Sequence, residues 1–119
     1  MQQIQIPPLA EGEIYLCGLV DSNGDVEHTV IIGINNDSGS WQQQMDWAKN
    51  LGGDLTNRVE QAVIRAKRPN LVEEAAYWSN TTVEWDSAYA WYQDFLNGFQ
   101  DDYHESAALR AVAVRRFKD

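Results

Sequence analysis

The dipeptide Asn-Gly occurs twice in the chain, at Asn23-Gly24 and at Asn97-Gly98. Each copy stands between runs rich in branched and aromatic residues. Both residues tolerate positive φ, so the pair favours the tight turn that joins two antiparallel strands. The first turn predicts a hairpin of residues 13–20 and 27–34, the second a hairpin of residues 88–96 and 99–104. With hairpins near both ends, the middle of the chain has to pack against sheet.

That middle reads as helix. Ser40 offers a hydroxyl to the first free amides of a helix, and Trp41, Met45 and Ala48 repeat at helical spacing as a core-facing stripe. Gly52-Gly53 stops it. Asn57 and Glu60 have capping-box spacing at the start of a second helix. Val59, Ala62, Val63 and Ala66 are its expected apolar face, and Pro69 closes it. Residues 35–39 read as a loop, Tyr77-Trp78-Ser79 as a short strand, residues 80–86 as a polar loop holding Trp85, and residues 109–117 as a last strand. Ile4 and Ile6 alternate with Gln ahead of Pro7-Pro8, which suggests a short edge strand. The expected class is α+β: one domain over residues 1–119, with two helices and a mostly antiparallel sheet.

Charge narrows the partners. Met1 to Ala48 holds seven acidic side chains and no Lys or Arg; Asn70 to Leu109 holds eight and again none. All nine basic residues fall within residues 49–68 and 110–118. Phosphate backbones call for Lys and Arg in a stripe, so direct nucleic-acid binding is not expected, whereas a basic protein surface is a natural partner. Acidic surface also serves plain solubility. The start of the chain lacks a basic n-region and an apolar h-region, and no stretch approaches the ~20 apolar residues of a membrane span. The expected location is a cytoplasm, unless the protein is carried out as part of a larger particle. Cys17, alone in an apolar run, reads as a small buried hydrophobe.

An ordered set of motifs carries a family resemblance. Trp41, Trp47-Ala48, Leu51-Gly52-Gly53-Asp54-Leu55-Thr56-Asn57-Arg58-Val59-Glu60, Tyr77-Trp78-Ser79, Tyr89-Ala90-Trp91, Phe95, Gly98 and Leu109–Arg116 together resemble the phage- and prophage-type Lcl C-terminal domain group. That group has C-type-lectin-like folds, with formylglycine-generating enzymes and retroelement variable proteins as distant relatives. The resemblance spans about residues 41–117. Leu55-Thr56-Asn57 stands where the family commonly has Leu-Pro-Thr, which loses a proline and keeps a capping residue. The resemblance implies a scaffold whose exposed strands and loops carry recognition, with Trp91 in the core. It does not carry over enzymatic cysteines, since Cys17 lies outside the matching segment. Nor does it carry over a calcium site: Arg68-Pro69-Asn70 puts a cation where a ligand carboxylate belongs. No cofactor and no metal are expected.

A two-residue turn at Asn97-Gly98 would set Tyr92 opposite Tyr103, Asp94 opposite Asp101 and Leu96 opposite Phe99 on one side of the sheet. Trp91 and His104 would then share the other side. Trp85, Tyr92, Asp94, Phe99, Asp101 and Tyr103 form the expected partner-binding surface, aromatic area around paired carboxylates. Three plainer readings stand beside it. The tyrosines can be a cross-strand pair that covers the sheet; the facing aspartates can be relieved by a cation or by a bulge; His104 and His28 can be solvated strand-end histidines. No nucleophile, base and orienting group assemble from these residues, so an enzyme is not expected. The leading reading is a non-enzymatic module that binds protein, in a sharper form an inhibitor that shows its carboxylates to a host nucleic-acid-binding machine. Carbohydrate recognition by the same surface and a structural place in a virion tail or fibre are the alternatives.

Overall fold

The computed structural model describes residue 6 and residues 8–118. Strands β1 (Ile14–Val20) and β2 (Val26–Gly39) precede helix α1 (Trp41–Asn50). The short β3 (Asp54–Leu55) leads into helix α2 (Arg58–Lys67) and a 3₁₀ turn (Pro69–Leu71). Strands β4 (Ala76–Val83), β5 (Asp86–Asp94), β6 (Gln100–His104) and β7 (Leu109–Lys118) complete the chain. They form one sheet in the order β1-β2-β7-β4-β5-β6, with β3 also paired to β7. Every pairing is antiparallel except β4 with β7. This is the α+β class, with a mostly antiparallel sheet and two helices. The expected strand at Ile4 and Ile6 lies outside the described residues apart from Ile6, which belongs to no strand.

Alternation along the central strands separates two cores. Tyr77, Val112 and Val114 pack with Ile31, Ile64 and Phe95 on the α2 side. Their neighbours Trp78, Ala111 and Ala113 pack with Ala48, Leu55 and Ala90 on the α1 side, where Trp41, Met45 and Trp47 close the layer. The helices therefore cover opposite faces of the sheet. Both start as capping boxes: Ser40 with Gln43, and Asn57 with Glu60.

Three expectations need correction. Residues 35–39 are strand, not loop. Their backbone continues the ladder to β7, with Asn35 opposite Ala111 and Gly39 opposite Leu109. Their polar side chains find partners: the Asn35 amide donates to Gln44, and Asn36 accepts from the Tyr77 hydroxyl at 2.9 Å. Likewise β4 runs on to Val83, so the expected loop at residues 80–86 shrinks to a turn at Glu84 and Trp85. His28 is not solvated. It is fully buried, with Nδ1 2.6 Å from the Tyr15 hydroxyl and its ring against Phe117.

Helix α2 shows the largest departure. Its buried residues are Glu60, Gln61 and Ile64, whereas Val59, Ala62 and Ala66 are exposed. Two polar side chains go inside, where Glu60 is fully met and Gln61 is met at its amide nitrogen. The Arg116 guanidinium clasps Glu60, and the Gln61 amide donates to the Tyr77 carbonyl at 3.1 Å.

Between the helices the chain passes close over β7. A Cβ built on Gly53 would collide with the Val114 carbonyl oxygen and stand 2.6 Å from Ile32 Cδ1. Backbone cannot step aside as a flexible side chain can. Gly53→Ala is expected to lower the unfolding free energy by about 1–3 kcal/mol or more in a denaturant titration; an unchanged midpoint would contradict the close approach.

Candidate functional site

The hairpin of β5 and β6 ends the sheet among the described residues. Its connection is longer than the Asn-Gly pair requires. Asp94 N–H donates to the Phe99 carbonyl and Gly98 N–H to the Asp94 carbonyl, enclosing the four residues 95–98. Gly98 takes φ +84, and the Asn97 and Asp94 side chains accept from the amides of Phe99 and Leu96. The cause is Phe95. It leaves the ladder for the core, edge-on to Tyr77 at 5.3 Å, while its amide bonds Ala75. A two-residue turn would hold it in the hairpin.

The register therefore moves by two residues from the expected one. Tyr92 faces Asp101, Ala90 faces Tyr103 and Trp91 faces Asp102. An even shift keeps each side chain on its expected side of the sheet. It also removes the expected Asp94–Asp101 confrontation, by changing the pairing rather than by a cation or a bulge. Tyr92 and Tyr103 become diagonal neighbours with stacked rings 5.0 Å apart and 12° from parallel.

The six candidate residues do not form one surface. Tyr92, Asp101 and Tyr103 come together on the α1 side of the sheet. Tyr92 is half-buried against the core of Trp78, whereas Tyr103 and Asp101 are exposed. Phe99, 70 % exposed, and Asp94 pair at the hairpin end. Trp85, 73 % exposed, stands instead with Trp91 on the α2 side, edge to face at 6.0 Å. Trp91 is not the core residue that the resemblance implied. It is half-buried beneath Arg58, whose guanidinium carbon lies 3.8 Å from the ring centroid.

His104 is exposed, with Nδ1 bonded to the Ser106 hydroxyl at 2.8 Å. Arg115 and Arg116 neutralise acidic partners, Glu13 for the first and Glu60 with Asp54 for the second. Among the described residues, no three His, Cys, Asp or Glu side chains are grouped to hold a metal ion. The sequence reading missed Arg58 and Arg65. Their signal was available: with Ala62 they repeat at four and then three residues, which is one helical face. No family model and no curated protein matches this chain.

The acidic surroundings leave a mark on Tyr92. Burial pushes its phenol above the ordinary value, and the charges of Asp101, Tyr103, Asp94 and Asp102 add to the shift. A raised folded-state value stabilises the fold fully below the unfolded phenol range near about 10, and that contribution is lost as pH rises through the raised value. An alkaline absorbance titration should show a late-ionising phenol that Tyr92→Phe removes. Its persistence in the variant would contradict the assignment.

Proposed function

We propose that the protein is a non-enzymatic interaction module of phage or prophage type, with a C-type-lectin-like fold. It engages a basic protein surface through the outer face and tip of the β5–β6 hairpin. The observation that carries this reading is the Tyr92–Tyr103 stack, which sets rigid aromatic area beside the exposed Asp101. Exposed Phe99 extends the apolar area to the hairpin tip. Stacked rings lose little freedom on binding, and carboxylates at the rim select a cationic partner and steer its approach. Two further features favour binding over catalysis. The Cys17 thiol is pushed up by burial and then by the charge of Glu60, away from the reactive thiolate. His104 Nδ1 meets both the hydroxyl and the backbone amide of Ser106 two residues along the chain, the bonding of a local turn at an exposed strand end rather than of an oriented base.

Trp85 supports a second reading. An exposed indole braced by Trp91 is a platform on which a sugar ring can stack, so carbohydrate recognition is the alternative.

Tyr92 also packs the core, so the variant that tests binding leaves it in place. Wild type and Phe99→Ala/Tyr103→Ala are compared in affinity capture from a bacterial host lysate at low and high salt. The expected result is a basic protein recovered by wild type, lost with the double variant and weakened by salt. Recovery of acidic proteins alone, or equal recovery by both forms, would overturn the reading. Competition of the captured partner against DNA then tests the inhibitor form.

A further inference from the structure

On the other face of the hairpin the exposed stripe of α2 borders a groove of about 750 Å³. Val59, Ala62 and Ala66 supply its apolar wall, with Gln93, Gly98 and Gln100 opposite. Arg58 and Arg65 stand along it, seven positions apart, or about 10.5 Å along a helix. Only small side chains lie between them on that face.

These arginines differ from three of the four cations of β7. Arg115, Arg116 and Lys118 each meet a carboxylate. Among the described residues Arg58 and Arg65 meet none. Arg58 is nonetheless fixed: its Nε donates to the Gln100 side chain at 2.9 Å, Gln100 returns a bond to the Arg58 carbonyl at 2.7 Å, and Trp91 lies beneath. That leaves the terminal nitrogens of the guanidinium for an outside acceptor. Arg65 Nε is buried with no hydrogen-bond acceptor in the described structure. A cationic donor that has lost water without gaining an oxygen is costly, and Arg65 is one of the residues that line the groove, where an outside oxygen can meet the exposed part of its guanidinium.

We infer that this groove docks an acidic amphipathic helix of a partner protein. Two carboxylates one face and seven residues apart match the separation of the arginines, and apolar side chains between them pack on Val59, Ala62 and Ala66. A single carboxylate or phosphate offers one cluster of acceptors, whereas the two arginines are rooted about 10.5 Å apart along the helix. The small residues of α2 let a second helix come close. In a chain of net charge −9 this is a cationic groove behind an acidic face, so the two sides of one hairpin select partners of opposite charge.

The test uses a synthetic helical peptide with two glutamates seven residues apart and leucines between, its Glu→Gln counterpart, and inorganic phosphate. Nuclear magnetic resonance follows the arginine Nε–H signals of the full chain. The acidic peptide is expected to shift the Arg58 and Arg65 signals. Its affinity should fall about tenfold with the Gln peptide and with Arg58→Gln/Arg65→Gln. Ala62→Glu keeps both arginines and sets a competing carboxylate between them, and should weaken binding similarly. No shift with the acidic peptide, unchanged affinity in both variants, or phosphate binding as tightly as the peptide would each overturn the proposal. None of these outcomes bears on the acidic face, which the Phe99 and Tyr103 variant reads separately.

Discussion

The guanidinium of Arg116 meets both oxygens of Glu60, Nε to Oε2 and Nη2 to Oε1, each at 2.7 Å. Its other contacts reach Asp54 at 2.9 Å and the Leu55 carbonyl at 2.8 Å. Glu60 is 1 % exposed, and its carboxylate also accepts from the Thr29 hydroxyl and the Asn57 amide. One ion pair thus ties β7, β3, α2 and β2 together. The hydrogen bond from Arg116 to Glu60, ahead of the Asp54 contact, holds the guanidinium far above its ordinary value, so it stays charged wherever the protein is folded. A buried pair of this kind adds little over a well-packed apolar pair, but removing one partner costs about 3–5 kcal/mol because the other is left uncompensated. Its role is to decide which side of α2 faces the sheet.

That decision places both candidate surfaces. With Glu60, Gln61 and Ile64 turned inward, Arg58, Ala62 and Arg65 turn outward beside β5 and β6. Arg58 then lies over Trp91 and braces the hairpin from the α2 side, through Gln100. On the α1 side, Tyr92 rests on the Trp78 core and stacks with Tyr103. Phe95, drawn into the α2-side core, sets the loop length that fixes the register of the whole hairpin. The acidic face and the cationic groove are therefore two sides of one strand pair, each held by a different core.

Much of this could be read from the residues. Both Asn-Gly turns lie at bends, both capping positions start helices, and β7 lies where its apolar run predicts. These are local signals, decided by backbone preferences within a few residues. The failures share another origin. Val59, Ala62, Val63 and Ala66 look like a core face by hydropathy, yet Glu60 is drawn inside by an arginine fifty-six positions away. Residues 35–39 look like a loop until β7 supplies a ladder partner. Phe95 and His28 are buried by tertiary packing that no local pattern encodes. Strand parity along β5 and β6 survived an error of two in register because side chains alternate with a period of two.

The central claim is that the Arg116–Glu60 pair holds α2 in the orientation that shapes both sides of the hairpin. Hydrogen exchange of Arg116→Met, followed residue by residue, tests it most directly. With Glu60 left unpaired, the amides of α2 should lose protection selectively while those pairing β1 with β2 keep theirs, and the contact of Arg58 with Trp91 should be lost in the same variant. Undiminished protection throughout α2, with Arg58 still over Trp91, would contradict the account.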